Sequence, residues 1–226
     1  MSDNPVVLVH GFASSFEHGW REPGWVDLLA DAGREVIPVD LLGHGSAEKP
    51  HDPEAYDHIE ESVAAVLPAG RPVDAIGFSL GAKTILRLAS DDPSRFDRIV
   101  VGGVGANVFS DQGGETIAKA VEEGTSDDDI AGRVFASLAS APGQDRKALA
   151  ACMRRAMKAL TPEQVAKVDR PVLVVLGDKD FAGPADPLID ALPNAKLVML
   201  RNVDHFATPS DFGFIDAALN FIGAGL

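Results

Sequence analysis

Short apolar runs rich in β-branched residues recur along this chain, and stretches with helical periodicity separate them. Runs of this kind are typical of strands buried in a parallel sheet. The predicted strands are residues 6–9, 35–39, 73–77, 98–101, 172–176 and 196–200, and the predicted helices between or after them are 25–32, 54–67, 80–90, 184–192 and 211–222. This alternation predicts an α/β fold with an open, mostly parallel, doubly wound sheet. Sites in such sheets form at the carboxyl ends of the strands.

The alternation is interrupted once, between residues 105 and 168, where only helical patterning occurs. Thr161 and Gln164 have the spacing of a capping box that opens a short helix. Ser126 to Asp129 are interpreted as a solvated helix start and not as a metal site. We therefore predict a core formed by residues 1–104 and 169–226, with residues 105–168 inserted as a helical cap, or lid, over the carboxyl edge.

An apolar stripe in this insertion predicts one wall of a substrate pocket. Leu149, Met153, Met157 and Leu160 fall on one helical face. They need an apolar surface to bury against, and the crevice at the sheet edge is the nearest one. The alternative is that the stripe only packs the lid helices against each other.

Composition excludes several classes of partner. The chain has 20 Lys and Arg against 34 Asp and Glu, a formal net charge of −14, which disfavours binding to nucleic acid or anionic membranes by bulk charge. The single cysteine, Cys152, cannot form an intrachain disulfide, which fits a reducing compartment. We see no signal peptide and no apolar run of the ~20 residues that a membrane helix needs. The expectation is a cytoplasmic protein that acts on a small molecule.

A candidate nucleophile follows the third predicted strand. Gly77, Ser79 and Gly81 form a Gly-x-Ser-x-Gly sequence between a strand and a helix. In that setting the serine occupies a tight turn at the sheet edge, and the glycines allow close backbone approach. Ser79 is therefore the predicted nucleophile.

A serine hydroxyl needs a base, and the base needs an orienting acid. His205 follows the sixth predicted strand and so reaches the same edge of the sheet as Ser79. Asp178 and Asp180 follow the fifth strand, and both are candidates for the acid. We favour Asp180, because Asp178 is closest to the strand end and is well placed to cap the local turn. Asp204, beside His205, is a weaker third candidate.

The oxyanion of an acyl-transfer intermediate needs hydrogen-bond donors. The backbone N–H of Leu80, directly after Ser79, is one candidate. The second is the N–H of Phe12, in the loop after the first strand, where Gly11 permits a sharp turn. His10 is interpreted as a structural residue that packs and hydrogen-bonds beneath that loop.

Together these motifs resemble the α/β-hydrolase superfamily over essentially the whole chain. The resemblance depends on the order Ser79, Asp180, His205, on His10-Gly11 ahead of it, and on residues 40–46 after the second strand. It implies that the three residues form a catalytic triad, that Phe12 and Leu80 supply the oxyanion hole, and that residues 40–46 shape the site entrance. Two departures are a missing leading hairpin and Asp204, where the family more often has glycine.

Two other interpretations compete with a serine hydrolase of this superfamily. Residues 77–84 match the motif of a phosphate-binding loop at all but one position, since Ala82 stands where that motif needs glycine. A phosphate-binding loop would also leave His205 without a role. A hydrolase-fold binding protein or lyase is the other, since fold does not fix function.

The predicted function is cleavage of a small-molecule carboxylic ester through an acyl-enzyme on Ser79, without metal or organic cofactor. Thioesters, lactones and activated C–C substrates pass through the same kind of intermediate and stay open as alternatives. The sequence predicts neither the physiological substrate nor the oligomeric state.

Overall fold

A computed structural model describes residues 3–124, 130–155 and 158–225. Its sheet has the strand order β2-β1-β3-β4-β5-β6, and every neighbouring pair is parallel. The predicted open parallel sheet is confirmed, and each predicted strand overlaps an observed one. The strands are β1 (Val6–Val9), β2 (Val36–Val39), β3 (Val73–Phe78), β4 (Phe96–Gly102), β5 (Val172–Gly177) and β6 (Ala195–Leu200).

Helices cover both faces of the sheet and fill the connection between β4 and β5. They are α1 (Trp25–Asp31), α2 (Glu61–Ala64), α3 (Leu80–Asp91), α4 (Gly114–Glu123), α5 (Ile130–Leu138), α6 (Arg146–Arg155), α7 (Pro162–Val165), α8 (Asp186–Ala191) and α9 (Phe212–Phe221).

Successive strand residues point to opposite faces and so divide the core into two layers. Val7 and Val9 pack on the side of α3, whereas Val6 and Leu8 pack on the side of α1 and α9. The helices after β1 and β3 therefore lie on opposite faces. At such a reversal of strand order the loops after the two strands diverge and leave a crevice at the carboxyl edge.

The segment between β4 and β5 contains helices and no strand among its described residues. Arg154 of α6 holds α4 through ion pairs with Glu115 (3.0 Å) and Glu122 (2.6 Å). The predicted capping box is present, since Thr161 accepts the Gln164 N–H and the Gln164 side chain accepts the Thr161 N–H. The acidic run at 126–129 lies outside the described residues.

One predicted helix is broken. Residues 54–67 form a 3-10 turn (Pro53–Tyr56) and the separate short helix α2. Tyr56 is fully buried and its hydroxyl donates to the Pro50 carbonyl at 2.7 Å. Asp57 is held by Arg155 at 3.1 Å. The ion pair with Arg155 is distant in sequence, and Pro50 lies just before the predicted helix. Both contacts fix the first turn independently of the second, and local periodicity does not reveal them.

Candidate active site

Ser79 lies at the tip of the tight turn between β3 and α3. Its φ of 51° falls in a region that residues with a side chain rarely adopt, at a cost of about 1–3 kcal/mol that surrounding packing must offset. A Cβ on Gly81 would lie 2.2 Å from the Val9 carbonyl oxygen, and one on Gly77 would lie 2.8 Å from the Ala82 nitrogen. The two glycines therefore allow the turn to close and hold Ser79 at the carboxyl edge.

The same turn argues against a phosphate-binding loop. Helix α3 begins at Leu80, directly after Ser79, so Ala82 and Lys83 are already helical. A phosphate-binding loop needs several successive N–H groups curled round the anion. This turn is too short to supply them.

His205 joins Ser79 to Asp180 through hydrogen bonds between side chains from three different strand ends. Its Nε2 lies 3.0 Å from Ser79 Oγ, and its Nδ1 lies 2.9 Å and 3.0 Å from the two carboxylate oxygens of Asp180. Because an ionised carboxylate only accepts hydrogen bonds, the Nδ1 atom carries the ring proton in this arrangement. Nε2 is then the acceptor for the Ser79 hydroxyl.

Of the candidate acids, Asp180 contacts His205, whereas Asp178 makes a different contact. Asp180 is buried, and its Oδ1 also accepts the Ala182 N–H at 2.8 Å. Asp178 is exposed, and its Oδ1 accepts the Asn202 N–H at 2.7 Å. Asp204 is exposed and accepts a backbone N–H within its own turn. Asp178 thus caps a turn, as its position in the sequence predicts.

Three phenylalanine rings surround the imidazole of His205. The ring centroid of Phe181 lies 4.3 Å from that of His205, Phe78 lies at 4.9 Å, and Phe206 at 5.5 Å. His205 is only 3% exposed as a result. Exclusion of water strengthens the hydrogen bond between imidazole and carboxylate.

The two predicted oxyanion donors lie on the segments that flank Ser79. Leu80 is the first residue of α3, so its N–H has no acceptor within the helix. The loop after β1 passes close by, since a Cβ on Gly11 would lie 3.5 Å from Ser79 Cβ. In the described part of the chain the Phe12 N–H makes no backbone hydrogen bond. Both N–H groups therefore remain candidate donors to an oxygen at Ser79.

His10 ties the loop after β1 to the loop after β2. Its Nε2 accepts the Leu41 N–H at 3.1 Å, so its Nδ1 carries the proton and donates to the Gly11 carbonyl at 2.8 Å. Burial lowers the pKa of His10 and keeps the ring neutral. Burial and the neighbouring His10 lower the pKa of His44 to about 3. These buried rings hold the loop that carries Phe12.

Asp40 fixes the segment that follows β2. Its carboxylate accepts the N–H groups of Phe16 and Ser46, each at 2.7 Å, and the Ser46 hydroxyl at 2.8 Å. Burial works against ionisation, but these hydrogen bonds hold the pKa of Asp40 below its usual value. Residues 40–46 therefore form an ordered loop beside the one after β1.

A cavity of about 270 Å³ opens beside Ser79 and His205. Its walls come from the loop after β1, the turn around Trp20, the segment after His205 and helix α5, which lies between β4 and β5. We call it the acyl cavity. Its lining is largely apolar and includes Phe12, Trp20, Phe78, Val134, Phe135, Leu138 and Phe206.

The predicted pocket wall differs from the observed one. Leu149 (0% exposed), Met153 (2%) and Leu160 (3%) lie in the hydrophobic core and do not line the acyl cavity. Met157 lies outside the described residues. The reason is that α6, which carries Leu149 and Met153, packs between α4 and the Pro53–Tyr56 turn, so the stripe is covered by protein. The neighbouring helix α5 faces Ser79 instead.

Residues 3–124, 130–155 and 158–225 contain neither a cluster suited to a metal ion nor a helix suited to a membrane. No cluster of three or more His, Cys, Asp or Glu side chains is placed there to hold a metal ion. Nor is any of the helices described there both long and apolar enough to cross a membrane.

The sequence matches the model of a protein family described as the alpha/beta hydrolase family over residues 6–216. The chain belongs to the alpha/beta hydrolase family. That match covers the strands, the turn at Ser79 and the segment around His205.

Curated and solved relatives are similar over most of the chain. The 3-oxoadipate enol-lactonase 1 of Acinetobacter baylyi is 26% identical over 199 residues, covering 79% of this chain and 73% of that protein. The pimeloyl-[acyl-carrier protein] methyl ester esterase of Neisseria meningitidis is 28% identical over 234 residues, covering 88% and 85%. A solved serine hydrolase involved in carbazole degradation superposes with a TM-score of 0.71 at 25% identity, covering 97% and 91%.

Proposed function

We propose that this alpha/beta hydrolase cleaves a small-molecule carboxylic ester through an acyl-enzyme on Ser79. The observation that carries the proposal is the unbroken hydrogen-bonded chain from Ser79 through His205 to Asp180, at a turn where Ser79 has a positive φ. A nucleophile, a base within 3.0 Å and an acid on the far side of the base meet the geometric requirement for serine nucleophilic catalysis.

In the first half of the reaction, His205 Nε2 takes the Ser79 hydroxyl proton as Oγ attacks the ester carbonyl carbon. The carbonyl oxygen becomes an oxyanion, which the Phe12 and Leu80 N–H groups stabilise. Collapse of this intermediate breaks the bond to the alcohol, which leaves with the proton from His205. Asp180 stabilises the imidazolium formed in between and does not take up the proton itself.

In the second half, water enters and His205 removes one of its protons. The hydroxide oxygen attacks the acyl carbon, and a second oxyanion forms in the same place. The bond to Ser79 Oγ then breaks and Oγ regains a proton from His205. The products are the alcohol and the carboxylic acid, and no step calls for a metal or an organic cofactor.

Residues 105–168 act in this proposal as a cap over the site. Phe135 of α5 lies 5.7 Å from Phe12 and 5.3 Å from Phe206, measured between ring centroids. Gln144 donates to the Ala13 carbonyl at 3.1 Å. The cap thus contacts both the loop after β1 and the segment after His205.

Lactone cleavage is the second candidate. A lactone is a cyclic ester, so its opening needs the same residues and leaves acid and alcohol in one molecule. A relative named as an enol-lactonase and another named as a methyl ester esterase both align over most of the chain. Their names favour oxygen esters over thioesters and C–C bonds.

The test is a panel of 4-nitrophenyl esters and simple lactones of graded chain length, assayed with the purified protein. We expect turnover of at least one class, with a preference for acyl groups that fit a cavity of about 270 Å³. Absence of turnover across the panel, together with no reaction with a serine-directed phosphonate, would contradict the proposal.

Leu138 and Met153 provide a matched pair of truncations in the cap. Leu138 lines the acyl cavity and is 39% exposed, whereas Met153 is buried in the core. We expect Leu138→Ala to shift chain-length preference by about tenfold between short and long acyl esters. Met153→Ala should cost about 2–5 kcal/mol of unfolding free energy and keep the shape of the preference profile. Chain-length profiles and denaturant unfolding measure the two effects, and the opposite pattern would contradict this assignment of the walls.

A further inference from the structure

A second cavity, of about 380 Å³, lies next to the acyl cavity. It is bounded by α3, the loop after β4, and helices α4 and α5. Polar residues on its walls include Asn107, Ser110 and Thr116. Phe135 lines both cavities, and Phe181, which lines the second, packs its ring against His205. The second cavity therefore adjoins the candidate active site across Phe135.

Lys83 contributes a buried cation to this second cavity. It lies one helical turn after Ser79, and its N–H donates to the Ser79 carbonyl at 3.0 Å. The side chain is 9% exposed, and its Nζ donates to the Asn107 carbonyl at 2.7 Å. An ammonium group has three donors, so this contact uses only one of them.

No carboxylate pairs with Lys83 in the described part of the chain. This is notable because the protein carries 34 acidic residues against 20 basic ones. Buried charges are normally paired, since removing a charge from water without a partner is costly. Burial lowers the pKa of Lys83 to about 8, so the amine remains mainly protonated near neutral pH.

We propose that the second cavity binds a carboxylate at the far end of the substrate, through the ammonium group of Lys83. The inference rests on the proposed function and extends it, because it assigns an anionic end to the acyl substrate. The carboxylate would supply the missing partner for Lys83 and use its remaining donors. Ser110 and Thr116 line the same space.

The chemistry of the cavity favours a carboxylate over a phosphate. Lys83 is the one cationic side chain on the cavity wall among the described residues. Phosphate recognition usually draws on several donors or on the planar fork of arginine. A single ammonium with neutral polar neighbours matches a single negative charge.

The test compares esters that differ only in charge at the far end. The charged series is the monomethyl esters of dicarboxylic acids from succinate to suberate, and the neutral series has a primary amide in place of the free carboxylate. We expect the wild-type protein to favour the charged member by at least about tenfold in kcat/KM at its best chain length. Both series contain the same methyl ester, so the ratio of kcat/KM between the charged and the neutral member measures the effect of the distal charge alone.

Lys83→Met and Lys83→Gln remove the charge, and the glutamine retains a donor for the Asn107 carbonyl. Both variants should reduce the charged-to-neutral ratio to about one. Lys119→Met is the matched control, because it removes an exposed cation from α4 that is not on the cavity wall, and it should keep the wild-type ratio. A wild-type ratio near one, or an unchanged ratio in folded Lys83→Gln, would overturn the proposal and leave a purely structural role for Lys83.

A binding experiment separates this inference from the proposed hydrolysis. Calorimetry on Ser79→Ala with monomethyl glutarate, and with its neutral amide methyl glutaramate, requires no turnover. We expect the charged ligand to bind at least about tenfold more tightly, and the added Lys83→Gln substitution to remove that difference. If the protein cleaves neither these methyl esters nor any member of the ester and lactone panel, and does not react with the phosphonate, the proposed function fails while this difference in affinity still supports the anion site. Equal affinities would overturn the anion site alone.

Discussion

Replacing Ser79 with alanine is expected to lower kcat for ester hydrolysis by at least about 10³-fold, the scale found when a triad nucleophile is removed. The reason is geometric, because Ser79 Oγ is the atom within 3.0 Å of His205 Nε2 at the edge of the acyl cavity. Without it no acyl-enzyme forms. Steady-state rates on the best ester of the panel measure the effect.

Ser210→Ala is the matched control for this change. Ser210 also lines the acyl cavity but makes no hydrogen bond to His205 in the part of the chain the structure describes. We expect its rate to remain within a few-fold of wild type. A folded Ser79→Ala protein with the same rate as Ser210→Ala would eliminate Ser79 as the nucleophile.

Asp180→Asn is expected to reduce turnover by on the order of 10⁴-fold. An asparagine amide can donate to Nδ1 of His205, which would place the ring proton on Nε2 and prevent that atom from accepting the Ser79 proton. The fold should survive, because asparagine keeps an oxygen for the Ala182 N–H that Asp180 binds at 2.8 Å. Rates and thermal unfolding are measured together.

Asp178→Asn makes the same chemical change two residues away. Asp178 accepts the Asn202 N–H at 2.7 Å and lies at the surface, and asparagine can accept that same bond. A small change in rate and in melting temperature is therefore expected. If Asp178→Asn were the inactive variant and Asp180→Asn the active one, the acid would have to be reassigned.

The sheet was predictable because each strand is a short apolar run and parallel pairing follows from the helices in between. Ser79, Asp180 and His205 also lie at the expected edge, since β3, β5 and β6 all end there. The preference for Asp180 over Asp178 needed only the distance of each residue from the strand end. The helix predicted at 54–67 failed because Asp57 is fixed by Arg155, which is distant in sequence, and the Tyr56 hydroxyl by the Pro50 carbonyl outside the predicted helix.

The segment between β4 and β5, which we propose as a cap, was the part that the sequence predicted least well. Its stripe of Leu149, Met153 and Leu160 has the right periodicity, but periodicity shows that a face is buried and not what it is buried against. Val134, Phe135 and Leu138 of α5 also share a helix face, and they line the acyl cavity. The choice between two such faces depends on how the cap helices pack, which no local pattern encodes. The burial of the Lys83 amine likewise depends on packing between distant elements and required the structure.

The central claim is that Ser79 forms the covalent bond with the substrate. The most direct measurement is the site and stoichiometry of labelling by a serine-directed phosphonate, obtained by intact mass and peptide mapping alongside residual ester hydrolysis. We predict one adduct per chain, located on Ser79, with activity lost in proportion to labelling. An adduct on a different residue that abolishes hydrolysis, or complete labelling of Ser79 with undiminished turnover, would contradict the claim.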